Sequence, residues 1–238
     1  MANTIALRKQ YSTLLDEVYK LSSLTAVLDG PNELVREGAN ANEILIPKLS
    51  MQGLADYNKS TGYVAGDVTL DYETKKCAYD RGRMFNVDAM DNIESAGIAF
   101  GRLSGEFLRT QVVPELDAYR LASYAQIPGV TTVKAALATG KEALAALRTA
   151  RGKIENAEAN LSTCYLFINP TVYGLIEDLD TTASKKAIEG FAGIIKVPSG
   201  RFYDKVKLNA SGAGGFTKDT GAVAMNFLIV DKQAAMQY

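Results

Sequence analysis

Between Ala65 and Ala125 the spacing of apolar residues changes from two to between three and four. Val68, Leu70 and Tyr72 alternate with Thr69, Asp71 and Glu73. Beyond Thr74-Lys75-Lys76, Cys77, Tyr79, Phe85 and Val87 alternate with Ala78, Asp80, Met84 and Asn86. Period-two alternation on both sides of a charged stretch predicts a hairpin that turns at residues 74–76. Arg81 and Arg83 interrupt its apolar face. A two-stranded hairpin is marginal in water by itself. Such an arm needs a surface to lie on, and another copy of the chain supplies one. From about Asp91 to Ala125 the spacing becomes helical, through Ile93, Ile98, Phe100, Leu103, Phe107, Val113, Leu116, Tyr119 and Leu121. Pro114 lies inside this pattern, lacks a backbone donor, and predicts a kink or a division. A helix over this stretch spans about 50 Å at ~1.5 Å per residue.

Leu7, Tyr11, Leu14, Leu15, Val18 and Leu21 form a helical stripe over residues 4–24 that Thr4 can cap. Asp29-Gly30-Pro31-Asn32 has turn chemistry, and residues 29–42 read as an extended arm. Glu43 to Leu49 is a short β-rich run in which Pro47 predicts an edge strand or a strand end. Residues 53–66 are polar and contain glycine, which predicts a loop.

Ile127-Pro128-Gly129 marks a lobe boundary. A helix is predicted from Lys141 to Arg151, and a buried strand from Cys164 to Ile168, stopped by Asn169-Pro170. A short helix capped by Thr171 is expected to run to Leu179. Strands follow at Ile194–Val197 and Ala222–Val230, separated by a loop over residues 209–221, and Asp231 is expected to open a terminal helix. Alternating strands and helices make this second lobe mixed α and β around a sheet.

Composition removes several kinds of chemistry. The 238 residues can bury a sizeable core, as one large domain or two lobes. The chain has no histidine, which excludes Ser-His-Asp and Cys-His catalysis and any histidine-containing metal site. Its two cysteines, Cys77 and Cys164, are far apart and form neither a zinc motif nor a disulfide framework. The formal net charge of −1 gives no whole-chain attraction to nucleic acid or a membrane surface. No apolar run reaches the roughly 18–20 residues of a membrane span, and Met1-Ala2-Asn3-Thr4 lacks a basic, then apolar, leader pattern.

The candidate motifs are weak. Asn209 to Gly215 has the glycines of a phosphate loop but lacks the Gly-Lys-Ser/Thr ending and a following helix. Glu177, Asp178 and Asp180 lack the spacing of a calcium loop and read as a solvated helix end. Asp117 and Arg120, three apart, can pair on the helix, whereas Glu115 and Asp117 do not share a face. The three are either surface charges or contacts between subunits. Lys75 and Lys76 at the expected tip, with Arg81 and Arg83, either blunt an exposed strand edge or dock on an acidic patch of a neighbour. No nucleophile sits beside a base, and no cofactor fingerprint is present, so the expectation is a non-enzymatic protein with no catalytic, cofactor or metal residues.

The order of elements resembles the major capsid proteins of tailed bacteriophages, with the Hong Kong 97-type fold. A helical N-terminal arm is followed by a hairpin similar to the E-loop. Phe85-Asn86-Val87-Asp88 leads into a helix similar to the spine helix, which carries Val112-Val113-Pro114-Glu115-Leu116-Asp117-Ala118-Tyr119-Arg120. Tyr165 to Pro170 and Asn226 to Val230 resemble strands of the A-domain and its return to the P-domain. The resemblance implies an α+β chain. Its parts are an N-terminal arm (1–42), an E-loop hairpin with its flanking strand (43–90), a P-domain spine helix (91–128), a mixed α/β A-domain (129–221) and a return strand (222–238).

The implied function is an icosahedral shell of hexamers and pentamers, assembled in the bacterial cytoplasm and ending in the virion. Such a shell encloses double-stranded DNA without reading its sequence and involves no membrane. Scaffold, portal and decoration proteins are its expected partners. Relatives of this branch continue past a segment like Asp231–Tyr238 into more P-domain strand, and some carry a cleaved scaffolding segment that has no counterpart here, which implies a separate scaffold or none. Inter-subunit contacts are expected at Val68, Leu70, Tyr72, Lys75, Lys76, Tyr79, Arg81, Arg83, Glu115, Asp117 and Arg120. Two alternatives stay open: an encapsulin-type compartment, which shares the fold but holds cargo enzymes, and a two-lobed enzyme using carboxylates.

Overall fold

The structure is a computed structural model that describes residues 23–30, 36–37, 43–60, 62–76, 79–85, 104–210, 212, 214–235 and 237. It is mixed α and β, with small sheets and several helices. The chain divides into two compact units, one from residues 1–30 and 87–237, the other from residues 31–86. The predicted helical stripe of residues 4–24, up to residue 22, and the first part of the predicted long helix, residues 91–103, lie outside the described residues.

The larger unit is organised on β4 (Cys164–Ile168), a five-residue run with no polar side chain after its cysteine except the Tyr165 hydroxyl. Strand β5 (Gly193–Lys196) pairs with it in parallel and β8 (Phe227–Asp231) antiparallel, so β4 is central, with Leu166 between Ile194 and Ile229. A central strand of this kind is covered on both faces and reads as a continuous apolar run. On one face Leu166 and Ile168 meet Ala143 and Leu147 of α2 (Gly140–Asn156), Val172 and Ile176 of α3 (Pro170–Glu177), and Ala187 of α4 (Thr182–Ile188). On the other face Phe167 meets Leu28, Val197, Phe202 and Leu121 of α1 (Val113–Ala125).

Local chemistry sets where these helices begin. Thr139 and Glu142 form a capping box at α2, which satisfies two backbone donors reciprocally. The Ala138 and Thr139 amides hold the Glu142 carboxyl below its ordinary value. That contribution is therefore present at neutral pH and is lost as pH falls through the lowered value. Asn169, rather than the predicted Thr171, caps α3: its side chain accepts from the Thr171 amide, and Pro170 fills the first turn, where no donor is needed. Gly140 packs against α3 so closely that an added Cβ meets the Leu175 carbonyl oxygen at 2.2 Å. Gly140→Ala is expected to cost about 1–3 kcal/mol in urea unfolding, because backbone must move to admit the methyl.

Pro114 produces a π turn, not a break. Residues 104–125 are helical without interruption. Over Leu108–Val112 the turn widens, and the Val113 amide donates to the Leu108 carbonyl, five residues back. The extra residue shifts the following face by roughly 100°, one residue's rotation in an α-helix. The buried positions are accordingly Leu108, Val113, Glu115, Asp117, Ala118, Leu121 and Ala122, whereas Leu116 and Tyr119 of the predicted stripe are only half-buried.

Two further expectations change. Residues 209–221 are not one loop: β6 (Val206–Leu208) and β7 (Phe216–Lys218) pair as a small hairpin around a turn at 209–215. Asp231 ends β8, and a single turn follows, with Ala234 and Ala235 amides donating to its carbonyl.

The smaller unit is a three-stranded sheet in the order β1 (Arg36–Glu37), β2 (Glu43–Met51), β3 (Val68–Lys76). Strand β1 pairs only at Ile44 and Leu45 of β2. Pro47 therefore falls where β2 has β3 on one side and no further strand on the other among the described residues, as an edge proline requires.

Candidate assembly surface

The predicted hairpin is corrected by the pairing of β2 with β3. Residues 74–76 are not a turn but strand, with Thr74, Lys75 and Lys76 opposite Leu45, Ile44 and Glu43. A lysine pair has no turn chemistry of its own, and nothing forces the backbone to reverse there. The reversal comes over residues 52–67, within the predicted loop.

Directly opposed residues of an antiparallel pair share a face. The register puts Leu45, Pro47, Leu49 and Met51 of β2 on the same face as Thr74, Tyr72, Leu70 and Val68 of β3. The opposite face carries Lys48, Ser50, Thr69, Asp71 and Glu73 beside Ile44 and Ile46. One face of the ribbon is thus apolar over most of its length, and it is open. Leu49 is 58% exposed, Met51 66%, Val68 67% and Leu70 56%. No described residue between 43 and 85 is buried, so the described part of this unit has no interior of its own. Nine residues per strand give a face about 30 Å long and roughly 10 Å wide, on the order of 300 Å². That is the size of the largest apolar patch on an ordinary monomer, and such patches are often functional.

The end of the ribbon is built rather than loose. Asn58 and Gly62 exchange backbone hydrogen bonds, the Ser60 amide donates to Asn58 Oδ1 at 2.9 Å, and Gly62 takes φ +80°. The Tyr57 and Tyr63 rings meet with centroids 5.0 Å apart. Leu54, Tyr63 and Val64 are exposed there too.

The residues expected at subunit contacts separate into four groups. Val68, Leu70 and Tyr72 come together on the open face. Lys75 and Lys76 do not form a basic tip. They lie at the end of the ribbon away from residues 52–67, where Lys75 Nζ stands 2.6 Å from Glu73 and Lys76 Nζ 3.7 Å from Glu43. The Lys75 hydrogen bond and charge hold the Glu73 carboxyl below its ordinary value. Tyr79, Arg81 and Arg83 follow outside any strand, the first two half-buried and Arg83 exposed. Sequence reasoning missed Leu45, Leu49, Met51, Tyr57 and Tyr63. Their signal was the alternation of Leu45, Pro47, Leu49 and Met51 itself, which becomes meaningful only once paired with β3.

Glu115, Asp117 and Arg120 belong to the larger unit, where Asp117 is neither a surface charge nor open to another subunit but the centre of a buried node. Asp117 has no exposed surface. Its carboxylate accepts from Ser23 Oγ at 2.5 Å, Thr25 Oγ1 at 2.9 Å, and the Leu24 and Thr25 amides at 3.2 and 3.3 Å. Arg201 Nη1 lies 3.6 Å from it. Arg120 donates to Thr25 Oγ1 at 3.2 Å and lies 3.7 Å from Asp29. This node seats residues 23–29 so that Leu28 reaches the core beside Phe167. Glu115 is 7% exposed.

The remaining polar clusters serve local structure. Asp180 pairs with Lys185 at 2.8 Å, and Lys196 lies 4.0 Å from Glu177. Among the described residues no three histidine, cysteine or acidic side chains gather as a metal site. In the glycine-rich turn, the Asn209 amide donates to the Gly215 carbonyl, Asn209 Nδ2 to the Gly214 carbonyl, and Thr217 Oγ1 to Asn209 Oδ1. Its polar groups thus close a hairpin. Among the described residues no helix is long and apolar enough to cross a membrane. Compared with protein-family models, curated proteins and solved structures, the chain matches none.

Proposed function

We propose that this chain is a structural shell protein of the Hong Kong 97 type, which self-assembles through its β2–β3 ribbon into a closed container for phage double-stranded DNA. The observation that carries this reading is the ribbon without an interior: an open apolar face on a unit with no buried residue among those described. Burying apolar surface contributes about 25 cal/mol per Å². A face of some 300 Å² therefore offers several kcal/mol that only a partner can realise.

The patch is smaller than the ~800 Å² per partner of a standard stable interface. One ribbon contact is expected to be weak, and an array in which every copy gives one ribbon and receives another gains by multiplicity. The helix through residues 104–125 and the two-faced sheet are consistent with the capsid-like order of elements noted in the sequence. They are also common architecture, so the ribbon carries the weight.

Mass photometry and negative-stain microscopy of the purified protein over a range of salt and concentration test the proposal, with a co-expressed scaffold as a further condition. Closed particles of many copies are expected. A species that stays monomeric in every condition overturns it.

A further inference from the structure

Resting on that reading, we infer that residues 130–136 are a strand donor that adds to the open edge of β3 in a second copy of the chain. Val130-Thr131-Thr132-Val133 is four consecutive β-branched residues, the side chains that favour strands. Yet they lie outside any helix or strand, and residues 126–136 are all exposed. Val133 is 70% exposed. Among the described residues, no backbone amide of residues 131–137 finds a backbone partner.

The segment is nevertheless fixed at both ends. The Val130 amide closes a turn on the Ile127 carbonyl at 3.2 Å with Gly129 at φ +91°. Asn226 Nδ2 donates to the Ala135 carbonyl at 3.0 Å, and the Ala138 amide donates to Glu142 at 3.0 Å. A strand-forming run held at its ends with open peptide groups has already lost much of the entropy that binding costs.

Strand β3 has the matching deficiency. Among the described residues it is the outer strand of its sheet, with β2 on one side. Its nine residues contain no proline to blunt the open edge, and its lysines, Lys75 and Lys76, stand together at one end. Strand addition takes its affinity from main-chain hydrogen bonds and its register from alternate side chains. Val68, Leu70 and Tyr72 alternate with Asp71 and Glu73 in β3, and Val133 precedes Lys134 in the donor.

Val133 beside Tyr72 in an antiparallel pair, or beside Leu70 in a parallel one, sets Lys134 opposite Asp71. A slip of one residue would put the lysine on the apolar face and Val133 among the acids. A slip of two keeps the faces, but Glu73 is already paired with Lys75 and Thr69 carries no charge, so Asp71 is the seat for Lys134. Donor and acceptor are different surfaces of one chain. Their contact between copies is heterologous and propagates into rings or lattices.

Two chains, each with one introduced cysteine, test this in a Cys77→Ser background, with Cys164 left in its buried position. Lys134→Cys chains and Asp71→Cys chains are mixed, assembled and oxidised. Disulfide-joined pairs containing one chain of each kind are expected. Thr132→Pro, which removes a donor from the segment, is expected to lower assembly at least tenfold against Thr132→Ser with no change in melting. The inference is overturned if particles form and the mixture gives no joined pairs. It is also overturned if a chain carrying both cysteines only closes on itself, or if Thr132→Pro assembles like Thr132→Ser. In each of these cases the shell reading stands. If the unsubstituted chain does not self-associate, both fall.

Discussion

Leu49→Asp together with Leu70→Asp is expected to abolish assembly while leaving the larger unit folded. The two leucines are direct partners in the β2–β3 register and sit in the middle of the open apolar face. In the free chain both are more than half exposed, at 58% and 56%, so a carboxylate there stays in water and costs the monomer little. In a contact the same carboxylates lose water and find an apolar wall. Since each leucine is little more than half exposed, it forfeits about 1–2 kcal/mol of burial, and an unpaired buried charge adds several kcal/mol more. Two such changes weaken each contact by roughly 5 kcal/mol or more, a factor of several thousand in affinity. Sedimentation velocity should show one slow species for the double variant. A denaturation midpoint unchanged from the parent, read through core probes near Phe167, would show that the effect lies in the contact.

Asp117→Ala is expected to have the largest effect on the stability of the larger unit. The carboxylate is fully buried and accepts from two hydroxyls and two amides of residues 23–25, with Arg201 beside it. Removing the acceptor leaves those donors and an arginine without their counterpart, which costs about 3–5 kcal/mol for a buried charged partner. For a unit of this size the melting temperature should fall by on the order of 10 °C. Asp117→Asn keeps one acceptor oxygen and the side-chain shape, so its loss should be about 1–3 kcal/mol. Urea unfolding of the two variants separates the cases. Equal and small losses would mean that the seat of residues 23–29 is held by Leu28 and its apolar neighbours instead.

Sequence legibility followed the range over which each feature is determined. Strand β4 was readable with its bounds because Cys164 to Ile168 is buried on both faces and Asn169-Pro170 ends it locally. The irregularity at Pro114 was readable because a missing donor is a property of one residue. Its form, a π turn that shifts the later face, depends on packing and misdirected the predicted stripe toward Leu116 and Tyr119. The ribbon was half legible. Alternation at Val68, Leu70 and Tyr72 identifies the strand, but the alternation from Cys77 to Val87 points to a partner after residue 76, whereas the partner lies before residue 52, since pairing is a non-local choice. The turn chemistry of Asn58 and Gly62 was the overlooked cue.

Asp117 was legible as a charge and illegible as a node, because its hydrogen-bond donors lie more than ninety residues away. One signal was available. Val113, Asp117 and Leu121 repeat at four-residue spacing, which places the acid on the buried stripe. An acid in that position requires donors from elsewhere in the fold.

The central claim is that the open ribbon face exists to be covered by another copy. Its most direct test is hydrogen–deuterium exchange across Glu43–Met51 and Val68–Lys76, comparing the dissociated chain with the assembled fraction from one preparation. The account predicts fast exchange at the outward amides of the ribbon in the single chain and strong protection in assemblies, with β4 protected in both. Assemblies whose ribbon exchanges as fast as in the single chain would contradict it.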